Sequence, residues 1–390
     1  MRFNSVTSGA LTSLIYSLGV NAVVLDTEGL PDSGLNTTTW VTGVKPPLTD
    51  IFNLHDMQLA VKNYLGNREY AYIRTGALDE ITYHANLDIW KQVKLRPQMG
   101  RNVANVSTET TILGTKFSVP FFIAPAGYSS FTDPVNGELN LVRGAGNSGG
   151  LYVPSILSSK TTAEMASAML SNQTMFRQIY PWANRTRMEK DFAEAEQSGY
   201  KAIFLTMDNP TVSGVRTRAL RQNAPDSSGD YSTDRSLANA AQFQKLTKLP
   251  IVPKGITSWE DAKTCMDLGF KALYVSNHGG RLIDGAPTAV EVLLEMRKNI
   301  PEIFTKMEIY ADSGVRHGTD VLKLIALGAR AVGVGRPAVF SNAWGVEGVE
   351  KLFTLLRREL VTNMQLIGVT ELSQVNQKHI NTKAVENLIF

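Results

Sequence analysis

Residues 272–281 read ALYVSNHGGR, residues 308–316 read EIYADSGVR, and residues 331–337 read AVGVGRP. Each stretch opens with a short apolar run, which Gly, Ser, Asn or Asp then interrupts, and segments of helical periodicity lie between the stretches. A continuous apolar run of this length is typical of a strand that is buried on both faces of a parallel sheet. The three stretches therefore predict successive strand–helix units.

The same pattern extends back along the chain to residue 121. Five more apolar runs occur at 121–127 (FFIAPAG), 151–157 (LYVPSIL), 175–180 (MFRQIY), 202–208 (AIFLTMD) and 250–255 (PIVPKG). Eight such units predict the α/β class and a single (β/α)8 TIM barrel, rather than an open doubly wound sheet. The first strand is not followed by G-x-G-x-x-G, so the main signature of a dinucleotide-binding Rossmann domain is absent.

The remaining chain predicts two flanking parts and one long loop. Residues 1–45 are predicted to be an N-terminal extension, and the Pro46–Pro47 pair marks the start of the barrel domain, 46–390, which ends with a C-terminal helix. Within the extension, residues 10–24 are largely apolar and resemble a signal-peptide core, although a segment packed on the barrel remains an alternative. The interval 221–247 begins with a polar, Gly- and Ser-rich stretch and is predicted to be a mobile loop over the barrel mouth.

Composition excludes several classes of protein. The 390 residues carry 39 Lys and Arg against 36 Asp and Glu, a net charge of +3, which does not favour a nucleic-acid partner. The lone Cys265 excludes an intrachain disulfide and a multi-thiolate metal site, and no metal site is predicted. No apolar run is long enough to span a membrane. We expect a cytoplasmic protein, with secretion as the alternative; residues 388–390 are not a peroxisomal signal.

Polar residues cluster where the predicted strands end. In a (β/α)8 barrel these ends converge on one face, so their side chains are the candidates for a site. Gly-rich turns with an Arg after strands seven and eight are the usual place for a phosphate group. The candidates from the strand ends are Ala126, Ser155, Gln178, Tyr180, Thr206, Asp208, Lys254, Ser276, His278, Asp312, Gly314, Arg316, Gly335 and Arg336.

At these positions the sequence resembles the FMN-dependent α-hydroxy acid oxidases and dehydrogenases. The strings are SNHGGR (276–281), DSGVR (312–316), GVGRP (333–337), LTMD (205–208) and Lys254–Gly255, and the resemblance covers about residues 48–375. It implies oxidation of an L-2-hydroxy acid to the 2-oxo acid with FMN as cofactor. It also implies O2 as the acceptor, giving H2O2, and a homotetramer or homo-octamer. A lactate-monooxygenase-type decarboxylating oxidation and a non-catalytic flavin-binding relative remain alternatives.

The resemblance also implies a role for each site residue. His278 matches the catalytic base and Asp208 the carboxylate that orients it. Arg281 and Arg216 match the pair that holds the substrate carboxylate, with Arg218 and Arg221 as alternatives to Arg216. Tyr72 and Tyr180 match tyrosines that bind the substrate. Cofactor contacts are implied for Lys254 beside the flavin, for Ala126, Ser155, Gln178, Thr206 and Ser276, and, at the ribityl phosphate, for Asp312, Gly314, Arg316, Gly335 and Arg336.

Two positions depart from the family pattern, and one further residue is predicted to be structural. Pro253 removes a hydrogen-bond donor from a central strand and predicts a local bulge beside Lys254. Leu157 stands where glycolate oxidase has a bulky tryptophan, so the substrate side chain is expected to differ. Cys265 lies on the apolar face of a predicted helix and is interpreted as packing.

Overall fold

The computed structural model of the protein describes residues 26–209, 215–225 and 229–389. A sheet of eight parallel strands forms its centre. The strands are β1 (Phe121–Ile123), β2 (Leu151–Tyr152), β3 (Arg177–Ile179), β4 (Ile203–Thr206), β5 (Ile251–Ile256), β6 (Ala272–Val275), β7 (Glu308–Ala311) and β8 (Ala331–Val334). Their order in the sheet is β2-β1-β8-β7-β6-β5-β4-β3. Each strand coincides with one of the eight predicted apolar runs, with β5 extending one residue beyond its run, which confirms the strand–helix repeat.

Helices connect the strands and continue beyond them at both ends. Several begin with a side chain that caps free backbone N–H groups, as Thr288 does with Glu291 in a reciprocal capping box. The predicted C-terminal helix is Gly345–Leu366. The other α-helices are Leu54–Tyr64, Asn67–Arg74, Ile81–Gln92, Glu138–Asn147, Thr162–Ser167, Arg185–Gln197, Thr217–Leu220, Leu237–Phe243, Trp259–Asp267, Ala289–Asn299, Ile303–Lys306, Gly318–Leu327 and Arg336–Ser341. The 3-10 helices are Leu48–Asp50, Ser129–Phe131, Asn342–Trp344, Leu372–Gln374, Gln377–His379 and Glu386–Leu388.

The two edge strands of the sheet, β2 and β3, contact each other. Tyr152 and Met175 form an isolated parallel bridge, and the Gln178 N–H donates to the Pro154 carbonyl at 2.9 Å. The register between β5 and β6 shifts between Lys254 and Ile256. This irregularity lies beside Pro253, as the missing proline donor predicts.

Two apolar cores lie on opposite sides of the sheet. The core on one face of the sheet, called the inner core below, includes Phe122, Phe204, Tyr274 and Tyr310. The outer core fills the layer between strands and helices and includes Cys265, which is fully buried as predicted. Because both faces of each strand are covered, the strands read as continuous apolar runs in the sequence.

Four short strands pair in two antiparallel ladders outside the main sheet. Thr110–Ile112 pairs with Thr115–Phe117, and Lys94–Leu95 pairs with Ile380–Asn381. The first pair is a hairpin that places Ile112 and Phe117 against the inner core. It therefore covers the amino end of the sheet.

The described part of the N-terminal extension packs on the domain. Leu30 and Trp40 are buried, and the Lys45 ammonium donates to the Ala343 carbonyl at 2.8 Å. The apolar residues 10–24 lie outside the described ranges. In the predicted loop 221–247, the structure places the helix Leu237–Phe243. Within the described ranges, no helix combines the length and the apolar character needed to cross a membrane.

Candidate active site

A cavity with an empty volume of about 1010 Å³, its open mouth included, lies at the carboxyl ends of the strands. The predicted site residues line it except for Asp208, Arg216 and Ser276, and these three contact residues that do. The lining includes Leu157, the position expected to affect the substrate side chain. It also contains residues that were not among the predicted site residues, namely Ile73, Ala124, Pro125, Gly127, Gly279, Ser313, Val315, Gly333 and Val339.

His278 and Asp208 form a hydrogen-bonded pair at the edge of this cavity. The His278 Nδ1 lies 3.0 Å from the Asp208 Oδ1, and the His278 backbone N–H donates to the Ser276 hydroxyl at 3.1 Å. The backbone of His278 is left-handed, with a φ of 56°. Such a conformation costs energy for a non-glycine residue and is typical of functional sites. It leaves the Nε2 edge of the ring, opposite Asp208, available to a ligand.

Asp208 remains a carboxylate although it is partly buried. Burial alone would raise its pKa, but the nearby His278 and Lys254 outweigh this effect and hold the pKa below its usual value. Gly255 makes room for the carboxylate. A Cβ on this residue would lie 2.6 Å from the Asp208 Cβ and Cγ, and its φ of 105° is one that favours glycine. The bulge in β5 thus lets Asp208 approach the histidine.

Lys254 projects from β5 into the floor of the cavity. Only 4% of the residue is exposed, and its Nζ lies 3.2 Å from the Ser276 hydroxyl. The ammonium also lies 5.2 Å from the centre of the Tyr274 ring, a cation–π distance. Because Lys254 is so little exposed to solvent, its ammonium group has a fixed position and its remaining N–H donors are available to a ligand.

Three polar side chains form a chain along the cavity wall. The Ser155 hydroxyl donates to the Gln178 Oε1 at 2.9 Å, and the Gln178 Nε2 donates to the Thr206 hydroxyl at 2.8 Å. All three residues are buried. Because each side chain fixes the next, the wall presents an ordered row of donors and acceptors.

The helix Asn67–Arg74 brings Tyr72 into the site. The last carbonyls of an α-helix have no partner within the helix and attract cations. Here the Tyr72 carbonyl accepts from the Nη1 atoms of Arg281, at 3.0 Å, and Arg216, at 3.3 Å. The Ile73 carbonyl accepts from Arg281 and Arg336, both at 3.1 Å. One helix end therefore positions three arginines.

Arg216 has the burial expected of an anion-binding residue. It is 5% exposed, and its guanidinium lies 4.9 Å from the Tyr72 ring centre. The side chain of Arg218 is 49% exposed and points to the Leu78 carbonyl and Glu80. Arg221 is exposed as well. The geometry thus favours Arg216 over the two alternatives.

Arg316 and Arg336 lie beside the turns that follow β7 and β8. Arg316 is buried, its Nε has no hydrogen-bond partner among the described residues, and a Cβ on Gly335 would meet only open space. Arg336 is partly buried and shares the Ile73 carbonyl with Arg281, and burial together with this neighbour lowers its pKa to about 9. Burial also lowers the pKa of Arg316. These properties suit the two guanidinium groups to an anionic ligand.

No ion pair within the described residues neutralises any of the four arginines at the cavity. Arg216, Arg281 and Arg336 donate to backbone carbonyls, and Arg316 has the Val315 carbonyl as its side-chain partner. An unpaired buried cation is expensive, so such groups are normally paired. The cavity is therefore suited to anionic ligands at two places.

Aromatic residues complete the rim, and sequence reasoning missed them. The Tyr128 and Phe131 rings stack and both meet the edge of the Tyr72 ring, with centroids 5.2 and 5.3 Å away. Trp182 and Tyr231 pack against Tyr180 in the same way. Tyr128 directly follows the predicted first strand, which is a usable signal. Tyr231 shows no such signal in the sequence, because its contact with Tyr180 joins distant parts of the chain.

The family model described as FMN-dependent dehydrogenase matches residues 61–382. The chain belongs to the FMN-dependent dehydrogenase family. This confirms the predicted family and its cofactor, FMN. An L-lactate oxidase of Nostoc sp. is 32% identical over 373 residues, which cover 87% of this chain and 100% of that protein.

Other members of the FMN-dependent dehydrogenase family are similarly close. An L-lactate dehydrogenase (cytochrome) of Wickerhamomyces anomalus is 32% identical over 366 residues, which cover 88% of this chain and 64% of that protein. The chain thus spans less than two thirds of that relative. The flavin-binding domain of baker's yeast flavocytochrome b2 has a TM-score of 0.84 and 31% identity, covering 88% of this chain and 89% of that domain.

The cavity fits FMN on the chemistry of its own residues. A phosphate group needs buried donors, and the unpartnered Arg316 Nε and the Arg336 guanidinium supply them beside the open Gly335. The row Ser155–Gln178–Thr206 and Lys254 offer polar contacts for a flavin ring. These residues would hold the cofactor.

Proposed function

We propose that the protein oxidises an L-2-hydroxy acid to the corresponding 2-oxo acid with bound FMN. The observation that carries the proposal is one hydrogen-bonded His–Asp pair at a cavity whose four arginines, buried or partly buried, have no carboxylate partner among the described residues. One group, Arg316 and Arg336, suits the cofactor phosphate. The other, Arg281 and Arg216, suits a substrate carboxylate.

His278 is the proposed base. Its Nδ1 faces Asp208, so Nε2 is the atom that takes the proton from the substrate. Asp208 keeps the ring in this orientation and stabilises the imidazolium that forms, as the carboxylate does in a catalytic triad. Because the pKa of Asp208 is lowered, the carboxylate is charged throughout the neutral range.

Arg281 and Arg216 are proposed to hold the substrate carboxylate. Planar guanidinium groups bind carboxylates through paired hydrogen bonds, which fixes the α-carbon next to the base. Burial raises the pKa values of Tyr72 and Tyr180, so both phenols remain protonated and donate hydrogen bonds to the substrate. The apolar Leu157 lines the same cavity, where the substrate side chain is expected.

FMN supplies the two-electron acceptor when it is bound. Lys254 would place a positive charge beside the ring, where it favours the negative charge of the reduced form. Ser276 holds the lysine and His278 together, since its hydroxyl contacts both. Tyr128 and Phe131 pack against the Tyr72 ring, which lines this part of the cavity, and help to fix its position.

O2 is the proposed final acceptor, with H2O2 as the product. The match along the whole length of an L-lactate oxidase supports this choice. The resemblance also supports a homotetramer or homo-octamer, and the proposed cytoplasmic location rests on the sequence alone. We further infer that the eight strands close into a barrel, supported by the Tyr152–Met175 bridge between the edge strands.

The test uses the full chain reconstituted with FMN and a panel of L- and D-2-hydroxy acids. We expect 2-oxo acid and peroxide to form in equal amounts from at least one L-acid. Carbon dioxide and a shortened acid in place of peroxide would indicate the decarboxylating alternative. A protein that binds FMN but oxidises none of the acids would be a non-catalytic relative, and the proposal would be wrong.

A further inference from the structure

Glu28 contacts the helix Asn67–Arg74 from the side opposite the cavity. One oxygen of its carboxylate, Oε2, accepts from the Tyr70 hydroxyl and from the Arg74 Nε, both at 2.9 Å. Tyr70 and Arg74 are four residues apart and therefore lie on one helix face. Glu28 precedes the region matched by the family model, which begins at residue 61.

The contact is well shielded from solvent. The side chains of Arg74 and Glu28 are 8% and 20% exposed, and the Arg74 guanidinium also lies 4.2 Å from the Tyr83 ring centre. Burial, with the nearby Glu28, raises the pKa of Tyr70 above its usual value, so its hydroxyl stays a donor. Hydrogen bonds to a charged group are stronger than neutral ones, particularly at low dielectric.

Glu28 is itself held in place by its neighbours. Its backbone is left-handed, with a φ of 54°, and its N–H donates to the Asp26 Oδ1 at 3.0 Å. Its second oxygen, Oε1, lies 3.2 Å from the Lys62 ammonium. The Glu28 carboxylate is therefore held in a fixed position and can restrain the helix Asn67–Arg74.

The other side of the same helix controls the substrate arginines. The free carbonyls of Tyr72 and Ile73 hold Arg281, and the Tyr72 carbonyl also holds Arg216. A shift of the helix end would move these guanidinium groups together. Displacements of about 1 Å far from the reacting atoms are known to lower enzymatic rates as much as 100-fold.

We propose that Glu28 is a positioning residue for substrate binding. Its carboxylate fixes the helix Asn67–Arg74, and the carboxyl end of that helix aims Arg281 and Arg216 at the substrate carboxylate. The inference rests on the proposed function of these two arginines. Glu28 touches neither the substrate nor the cofactor and acts through Tyr70 and Arg74.

The substitution Glu28→Gln removes the charge and keeps the size of the side chain. Arg74 retains Glu80, whose carboxylate lies 2.7 Å from its Nη1, so the helix remains attached. The arginines bind the carboxylate in both the ground state and the transition state, so their misplacement raises KM, and any loss of α-carbon alignment adds a fall in kcat. We expect a rise in KM of about tenfold for the panel acid that is oxidised fastest.

Two further variants separate positioning from a general loss of stability. Asp26→Asn removes an exposed charge beside Lys62 but keeps the side-chain oxygen that accepts from the Glu28 N–H, so KM should stay within about twofold of the wild type. Tyr70→Phe removes one of the two hydrogen bonds to Glu28 and should give an intermediate KM. If Glu28→Gln does not fold, Tyr70→Phe serves as the test in its place.

Hydrogen exchange of the FMN-loaded protein gives a readout that does not depend on turnover. We expect faster exchange of the amides of residues 70–75 in Glu28→Gln and unchanged exchange in Asp26→Asn. If KM and exchange are both those of the wild type, the inference is wrong. Faster exchange with unchanged KM also overturns it, since the clamp would then not reach the arginines. If the wild type oxidises none of the acids, the proposed function fails, and the exchange experiment still decides whether Glu28 clamps the helix.

Discussion

The two ends of the eight-stranded sheet differ in what their charged side chains contact. At the amino end, the Glu308 Oε2 accepts from the Leu113 N–H at 3.0 Å and from the Tyr310 hydroxyl at 2.7 Å, so it joins the hairpin to β7. At the carboxyl end, the buried Arg316 and the partly buried Arg281 and Arg336 line the cavity and have no carboxylate partner among the described residues. The charge at the amino end contributes stability, and the unpaired charges at the carboxyl end are available for ligands.

Non-glycine residues with a left-handed backbone occur at both ends of the sheet, at Leu113 (φ 45°) in the amino-end hairpin and at three positions around the site. His278, Ser313 and Tyr128 lie at the carboxyl ends of three strands, with φ values of 56°, 86° and 59°. Each such residue costs about 1–3 kcal/mol. Strain of this kind persists where a function requires a fixed geometry, which is consistent with a catalytic role for this end of the sheet.

The largest expected effect comes from His278→Ala at the carboxyl end. Removal of the base should lower the rate of 2-oxo acid formation by roughly 10²–10⁴-fold or more, because proton transfer loses its acceptor. FMN content should not change, since the His278 ring contacts Asp208 on the substrate side. The matched control is His84→Ala, which removes an exposed imidazole and should retain full activity. Turnover near that of the wild type in His278→Ala would exclude this residue as the base.

Gly255→Ala should give the next largest effect. The new Cβ would lie 2.6 Å from the Asp208 Cβ, on a backbone with a φ of 105°, so Asp208 must move away from His278. We expect an activity loss of about 10–100-fold and a destabilisation of about 1–3 kcal/mol. Steady-state kinetics and denaturant unfolding measure the two effects.

Gly199→Ala serves as the control for Gly255→Ala. Its φ of 82° is also left-handed, but a Cβ there meets nothing within 4 Å. Backbone strain alone should therefore destabilise this variant without changing kcat. Equal activity losses in the two variants would show that contact with Asp208 is not the cause.

A change at the amino end should affect stability and leave catalysis intact. Glu308→Ala leaves the Leu113 N–H and the Tyr310 hydroxyl without their acceptor, which costs about 1–3 kcal/mol. The free energy of unfolding in denaturant should fall by this amount while kcat and KM stay unchanged. A loss of activity without a loss of stability would contradict the division between the two ends.

The smallest expected effect is the pH dependence due to His55, near Arg316. Burial, together with Arg316 and His317, lowers the pKa of His55 to about 3, against 6.5 for the free side chain. Below pH 6.5 the unfolded chain therefore binds a proton that the folded protein does not, and stability falls as the pH falls. One such group lowers the free energy of unfolding by about 1 kcal/mol when the pH falls from 6.5 to about 5.5.

Unfolding free energies of the wild type and His55→Gln at several pH values test this effect. The wild type should lose about 1 kcal/mol more than the variant on acidification across this range. Parallel curves for the two proteins would mean that His55 is protonated in the folded state.

Local patterns account for the part of the fold that the sequence could predict. The eight strands appear as short apolar runs because both their faces are covered, and the irregularity in β5 follows from the missing donor of Pro253. Site candidates such as Lys254 and Asp312 could be found because strand ends converge on one face.

Contacts between distant residues account for the part that could not be predicted. The contact of Tyr231 with Tyr180 depends on how the chain returns across the cavity. The link from Glu28 to Tyr70 joins residues 42 positions apart, in a region without a periodic pattern. The preference for Arg216 over Arg218 also depends on burial against Tyr72, which only the folded structure provides.

The central claim is that the unpaired carboxyl end binds FMN and a 2-hydroxy acid side by side. The most direct measurement is the visible spectrum of the FMN-reconstituted protein after anaerobic mixing with each enantiomer of the panel acids. We predict that at least one L-acid bleaches the flavin absorbance within one turnover, that its D-enantiomer does not, and that His278→Ala prevents the bleaching. A protein that fails to bind FMN, or a bound flavin that no acid reduces, would contradict the claim.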